Sequence, residues 1–148
     1  MNKRRSRTLA AVTAVYAVLL AAASLLPSGG AGPLAGWDAA ISPGLQNLLH
    51  VPAYAVLVFL TARAWAWPPQ ARPAAVLATA AGCAAFGALL EWAQSTIPGR
   101  TGSLSDILLN TAGAGAALVL MLGKRTGRKE KAADLQGDTG AHGPGTSR

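Results

Sequence analysis

The chain has 148 residues, 51% hydrophobic, 13% charged and 5% aromatic, and a net charge of +7 from 13 Lys and Arg against 6 Asp and Glu. Soluble domains carry about 25% charged residues, so the low charge content excludes an ordinary water-coated globule. The apolar content excludes disorder over most of the length, and a single cysteine, Cys83, excludes a disulfide scaffold. In a soluble protein this net charge would point to nucleic acid, but its distribution points elsewhere. Lys3, Arg4, Arg5 and Arg7 precede the first apolar run, and Lys124, Arg125, Arg128, Lys129 and Lys131 follow the last; in the long apolar middle stand only Arg63, Arg72 and Arg100. That is a membrane pattern, with the lipid bilayer and not nucleic acid as the partner.

Four apolar runs are read as helices. The first, Thr8 to Leu26, carries no charge and approaches the roughly 20 residues that span a bilayer core. The alternative of a secretory signal peptide is weaker, because its h-region would be about 7–15 residues. The second run is Leu45 to Trp67, opened by Ser42 as N-cap and Pro43 at the first helical position. Pro52 inside it removes one backbone donor. The third run is Ala74 to Ile97 and the fourth Leu104 to Leu122. Pro27-Ser28-Gly29-Gly30, Pro68-Pro69 with Pro73, and Pro98-Gly99 separate the runs. From residue 123 the apolar face is lost, which predicts a disordered basic tail. The expected fold is an all-α four-helix transmembrane bundle: a basic N-terminus over 1–7, a membrane domain over 8–122 and the tail over 123–148.

Basic residues set the orientation. They occupy the N-terminus, the Arg63 to Arg72 connection and the tail; the Pro27 to Gly44 loop has none and the Pro98 to Ser103 loop has Arg100 alone. Both termini are therefore expected in the cytoplasm of a multi-pass cell-membrane protein. Trp65 and Trp67 then fall near the inner interface and Trp92 near the outer one.

The informative residues are those a bilayer rejects. Asn47, His50 and Tyr54 share a face of the second helix, Glu91 and Gln94 a face of the third, and Asp106 and Asn110 a face of the fourth. They lie early in the second and fourth helices and late in the third, so alternating helices bring them to one depth. At about 1.5 Å per residue, His50 and Glu91 lie on the order of 8–9 Å inside the outer boundary. Arg100 is the expected cationic partner, and polar residues in a bilayer face the bundle interior or a wet cavity. Each residue also has a structural reading. Asp106 completes a Ser103-x-x-acid capping box, Asn110 suits a helix-to-helix hydrogen bond, Tyr54 and Trp92 suit an interfacial belt, and His50 with Glu91 suits a structural pair. Cys83 reads as a small buried residue.

Glu91-Trp-Ala-Gln94, Pro98-Gly99-Arg100 and Asp106-Ile-Leu-Leu-Asn110-Thr-Ala-Gly113 together resemble the VanZ-like family of membrane proteins, whose signature runs Glu-x-x-Gln, a short Arg-bearing loop, then Asp-x-x-x-Asn-x-x-Gly. His50-x-x-x-Tyr54 resembles the family's second helix, and the resemblance covers about Pro27 to Leu122. One departure is that Gln46 and Asn47 stand where the family often has Asp-Lys. The resemblance implies a connection to resistance against the glycopeptide teicoplanin, and it implies no particular reaction.

Three functions from different classes are compatible with these residues. In the first, His50, Tyr54, Glu91, Gln94, Arg100, Asp106 and Asn110 form an outer-leaflet pocket that binds a lipid-linked cell-wall precursor or a glycopeptide. In the second, an intramembrane enzyme acts on a lipid head group, with His50, Glu91 and Asp106 as catalytic candidates. In the third, the polar layer only fixes helix register in an assembly subunit. No cofactor is expected, and one intramembrane histidine makes a weak metal set. The topology predicts that a cysteine at Ser28, in a chain lacking Cys83, is labelled from outside intact cells and one at Thr126 is not; labelling at Thr126 would overturn it.

Overall fold

The computed structural model describes residues 3–25, 42–65, 72–97 and 102–139, whose regular structure is entirely helical. The helices are α1 (Lys3–Leu25), α2 (Pro43–Ala64), α3 (Arg72–Ser95) and α4 (Leu104–Thr139). Each holds a stretch long and apolar enough to cross a membrane: Ser6–Leu25, Gly44–Ala64, Arg72–Ser95 and Leu104–Gly123. The all-α, four-span expectation therefore holds. The Pro/Gly breaks at 27–30, 68–69 and 98–99, with Trp67, lie outside the described residues.

The start of α2 follows its sequence. Ser42 is the N-cap, its Oγ 3.4 Å from the Leu45 amide, and Pro43 occupies the first turn. Pro52 is accommodated within the helix. The C-terminal segment departs from expectation, because α4 continues to Thr139 where disorder is predicted from residue 123. Losing an apolar face removes packing but not helix propensity. Lys, Arg, Glu, Ala, Leu and Gln dominate residues 124–136 and are good helix formers, and a preceding span has already nucleated the helix.

Both α2 and α3 touch all the other helices, and α2 packs most extensively against α4; α1 lies on α2 and α3 and does not meet α4 among the described residues. The core joins Tyr54, Leu57 and Val58 of α2 to Ala80 and Cys83 of α3 and Ala114 and Ala117 of α4. In lipid, close packing of small residues replaces the hydrophobic drive between helices. One close approach of α2 and α4 is at Gly113, where a Cβ would collide with the Val51 carbonyl oxygen. Large apolar side chains such as Val15, Leu19, Phe59, Leu89 and Leu120 point outward, as a lipid-facing surface requires.

Three hydrogen bonds hold α1 at three heights. Ser6 Oγ donates to the Ala64 carbonyl (2.7 Å), Tyr16 Oη to the Ala53 carbonyl (3.1 Å), and Gln94 Nε2 to the Ser24 carbonyl (2.7 Å). At the Ser6 end, the Arg63 guanidinium lies 4.9 Å from the centre of the Phe59 ring, and Trp65 is exposed. A cation over an aromatic face with an exposed indole suits a membrane interface.

The tight α2–α4 contact predicts that Gly113→Ala destabilises the bundle by about 1–3 kcal/mol through overpacking. Gly115→Ala, whose Cβ meets nothing within 4 Å, should be neutral or stabilising. Thermal inactivation midpoints in mild detergent measure both.

Candidate functional site

The polar residues of α2, α3 and α4 meet at the bundle end where α2 and α4 begin and α3 finishes. His50 lies two turns into α2 and Asn110 about two turns into α4, and His50 Nδ1 is 2.7 Å from Asn110 Oδ1. This contact ties the His50 ring to α4 through Nδ1 and leaves Nε2 on the opposite side of the ring. Asn110 is only 1% exposed. Its Nδ2 faces Gly87, where a Cβ would lie 2.8 Å both from that nitrogen and from Tyr54 Cε1. Gly87 is therefore the floor on which Tyr54 and Asn110 rest. Tyr54 is buried and stacks on the His50 ring at a centroid distance of 6.5 Å, so it belongs to the core and not to an interfacial belt. Trp92 is exposed at this end of α3, as a belt residue is expected to be.

Glu91 is 2% exposed, and its Oε2 accepts the Ser103 amide hydrogen at 2.9 Å. The alternative reading of His50 and Glu91 as a structural pair is not what forms: His50 turns to Asn110, and Glu91 turns to the start of α4. Gly102 makes this possible by lying against the Glu91 backbone, where a Cβ would come 2.6 Å from the Glu91 carbonyl oxygen. A glycine directly before an N-cap serine was the sequence signal for that contact.

The capping box is half made. Ser103 Oγ accepts the Asp106 amide hydrogen at 3.3 Å and also meets Ser105 Oγ at 2.6 Å. In a complete box the Asp106 carboxylate would return to the Ser103 amide, but Glu91 holds that amide instead. Asp106 Oδ1 is consequently buried with no hydrogen-bond partner among the described residues. Glu91 also places a carboxylate at the positive end of the α4 dipole, a favourable location.

Glu91 and Asp106 therefore converge on one residue, Ser103, and Asp106 stands one turn from the His50–Asn110 bond. Gln94 is 4% exposed and on the same face as Glu91, but its amide reaches the end of α1. Its partner there, Ser24, had no signal in the sequence. Arg100 lies outside the described residues, and among those described no group of three or more His, Cys, Asp and Glu could hold a metal ion.

The VanZ/LLP1 family model matches residues 7–125, a stretch that includes all four spans and every residue of this layer. The chain belongs to the VanZ/LLP1 family. Neither the curated proteins nor the solved structures give a match. As a VanZ-like chain with four spans, it is a multi-pass membrane protein, and its Glu-x-x-Gln motif now has a physical division of labour: Glu91 caps α4 and Gln94 holds α1.

That division predicts different stability effects at the two acids. Glu91→Gln retains an acceptor for Ser103 and should be nearly neutral, whereas Glu91→Ala should lose about 1–3 kcal/mol by leaving a buried amide unpaired. Asp106→Asn removes no cap and should leave the detergent melting midpoint unchanged.

Proposed function

We propose that this VanZ-like protein lies in the cell membrane with both termini cytoplasmic, and that its polar layer binds the head group of an amphiphile in the outer leaflet. A lipid-linked envelope precursor and a teicoplanin-type glycopeptide both fit this description, as each carries hydroxyl and amide donors beside an apolar tail. The observation that carries the reading is the buried Asp106 Oδ1, which has no hydrogen-bond partner among the described residues. An acceptor left in that state costs about 1–3 kcal/mol, more when charged, so a ligand N–H or O–H gains by meeting it. His50, bonded through Nδ1 to Asn110, one turn along α4 from Asp106, supplies a second hydrogen-bonding group through its other ring nitrogen. The proposed pocket takes in His50, Tyr54, Glu91, Gln94, Arg100, Asp106 and Asn110, with Gln94 acting through its hold on α1.

One observation favours a second reading. The His50 imidazole is held through Nδ1 against Asn110, and an imidazole oriented in this way suits general acid or base work, as in an enzyme acting on a lipid head group with His50 and Glu91.

A single set of variants separates these readings. Under teicoplanin challenge of cells producing the protein, Asp106→Asn should abolish protection while membrane insertion and abundance stay normal. His50→Gln keeps a hydrogen-bonding side chain without a titratable base. It should preserve a substantial part of a binding function and none of an acid–base one. Full protection by Asp106→Asn would remove the proposed pocket.

A further inference from the structure

The far end of the bundle holds a feature that the polar layer does not use. Between α1 and the α2–α3 pair lies a cavity of about 600 Å³, open on one side, in the range of roughly 300–1,000 Å³ that binds small ligands. We infer that this cavity is a binding groove for one acyl chain of an anionic phospholipid, whose head group sits on Arg7 in the leaflet facing the basic end of the bundle. The inference is independent of what the polar layer binds.

Depth identifies the occupant. Along α1 the wall runs from Arg7 to Ala17, about 15 Å at 1.5 Å per residue. That is one leaflet of a hydrocarbon core about 30 Å thick. A further membrane-spanning helix, about 10–12 Å wide, would need a groove running the full depth. The groove ends instead beneath the polar layer, at Leu57 and Phe86, one residue or one turn from Gly87 and Tyr54, which belong to that layer.

The lining is chemically suited to a chain. Thr13, Thr61 and Thr79 line it, but their hydroxyls donate to the carbonyls of Leu9, Leu57 and Ala75 four residues back, which leaves the Cys83 thiol, a weak donor, beside otherwise apolar side chains in its depth. Gly82 also lines it, and a Cβ there would meet nothing within 4 Å; the space is open where a side chain would otherwise fill it. The mouth is different. Ser6, Arg7 and Trp65 stand there, with Ser6 bonded to the Ala64 carbonyl and Arg7 exposed. An apolar slot one leaflet deep with a guanidinium at its mouth matches the charge and the shape of an anionic lipid.

Native mass spectrometry of the full chain, purified in mild detergent and titrated with equimolar phosphatidylglycerol and phosphatidylcholine, tests this. A single lipid adduct is expected, with phosphatidylglycerol preferred about fivefold. That factor corresponds to the roughly 1 kcal/mol of one basic side chain at an anionic surface. Arg7→Gln should erase the preference while leaving an adduct, and Gly82→Leu should remove the adduct. Gly115→Leu, at a position equally open but outside the groove, should change neither, and millimolar inorganic phosphate should not displace the lipid. Equal retention of both lipids by the unaltered chain would overturn the inference. An adduct unaffected by Gly82→Leu would do the same, as would disulfide-linked dimers through Ala14→Cys in a Cys83→Ala chain, which would put a second copy over the groove.

Discussion

Glu91 accepts the amide hydrogen of Ser103, and the arrangement of the polar layer follows from that bond. A helix beginning inside a low-dielectric region exposes amide hydrogens that nothing in its own ladder can satisfy. The usual remedy is local, a side chain within the same turn. Here part of the remedy comes from the neighbouring helix, brought within range because Gly102 lets the chain run against the Glu91 backbone. The acid that would have served locally, Asp106, is thereby released. A structural requirement met from one helix becomes chemical capacity on another.

The rest of the layer obeys the same solvent constraint. Lipid offers no hydrogen bonds, so polar groups must be matched within the protein. His50 and Asn110 match each other, and Tyr54 fills the space between them and Gly87. The site therefore rests on α2 and α4 packed over Gly113, which has no room for a Cβ against Val51. Small residues set how near the backbones come, and that nearness sets which polar atoms can meet.

Much of this could be read in the residues before the fold was seen. Apolar run lengths located the four spans, and the three- and four-residue spacings put His50 with Tyr54, Glu91 with Gln94 and Asp106 with Asn110 on common faces. Spacing says which residues share a face but not which face meets which neighbour. That is why a His50–Glu91 pair was as plausible as the His50–Asn110 bond that forms, and why Gln94 gave no hint of reaching Ser24, 70 residues away. The capping motif at Ser103 was legible because it is local; the intrusion of Glu91 was not, because it depends on how α3 ends beside α4. Spacing put Tyr54 on the His50 face and its residue type left an interfacial place open; the absent side chain of Gly87 makes room to bury it. The helical course of residues 123–139 was missed because the loss of an apolar face was taken to end the helix as well as the packing.

The attachment of α1 has a consequence for how such a chain can drift. The three cross-helix bonds from Ser6, Tyr16 and Gln94 end on main-chain carbonyls, at Ala64, Ala53 and Ser24. Every amino acid supplies that acceptor. At these bonds the acceptor positions are thus free to change identity, and the chemistry to preserve lies with Ser6, Tyr16 and Gln94. Substitutions on the two sides of each bond need not be paired. In a comparison of many related sequences, the docking of this helix would leave conserved single positions and no correlated pairs, so methods that infer contacts from co-variation would be blind to the bonds that seat it.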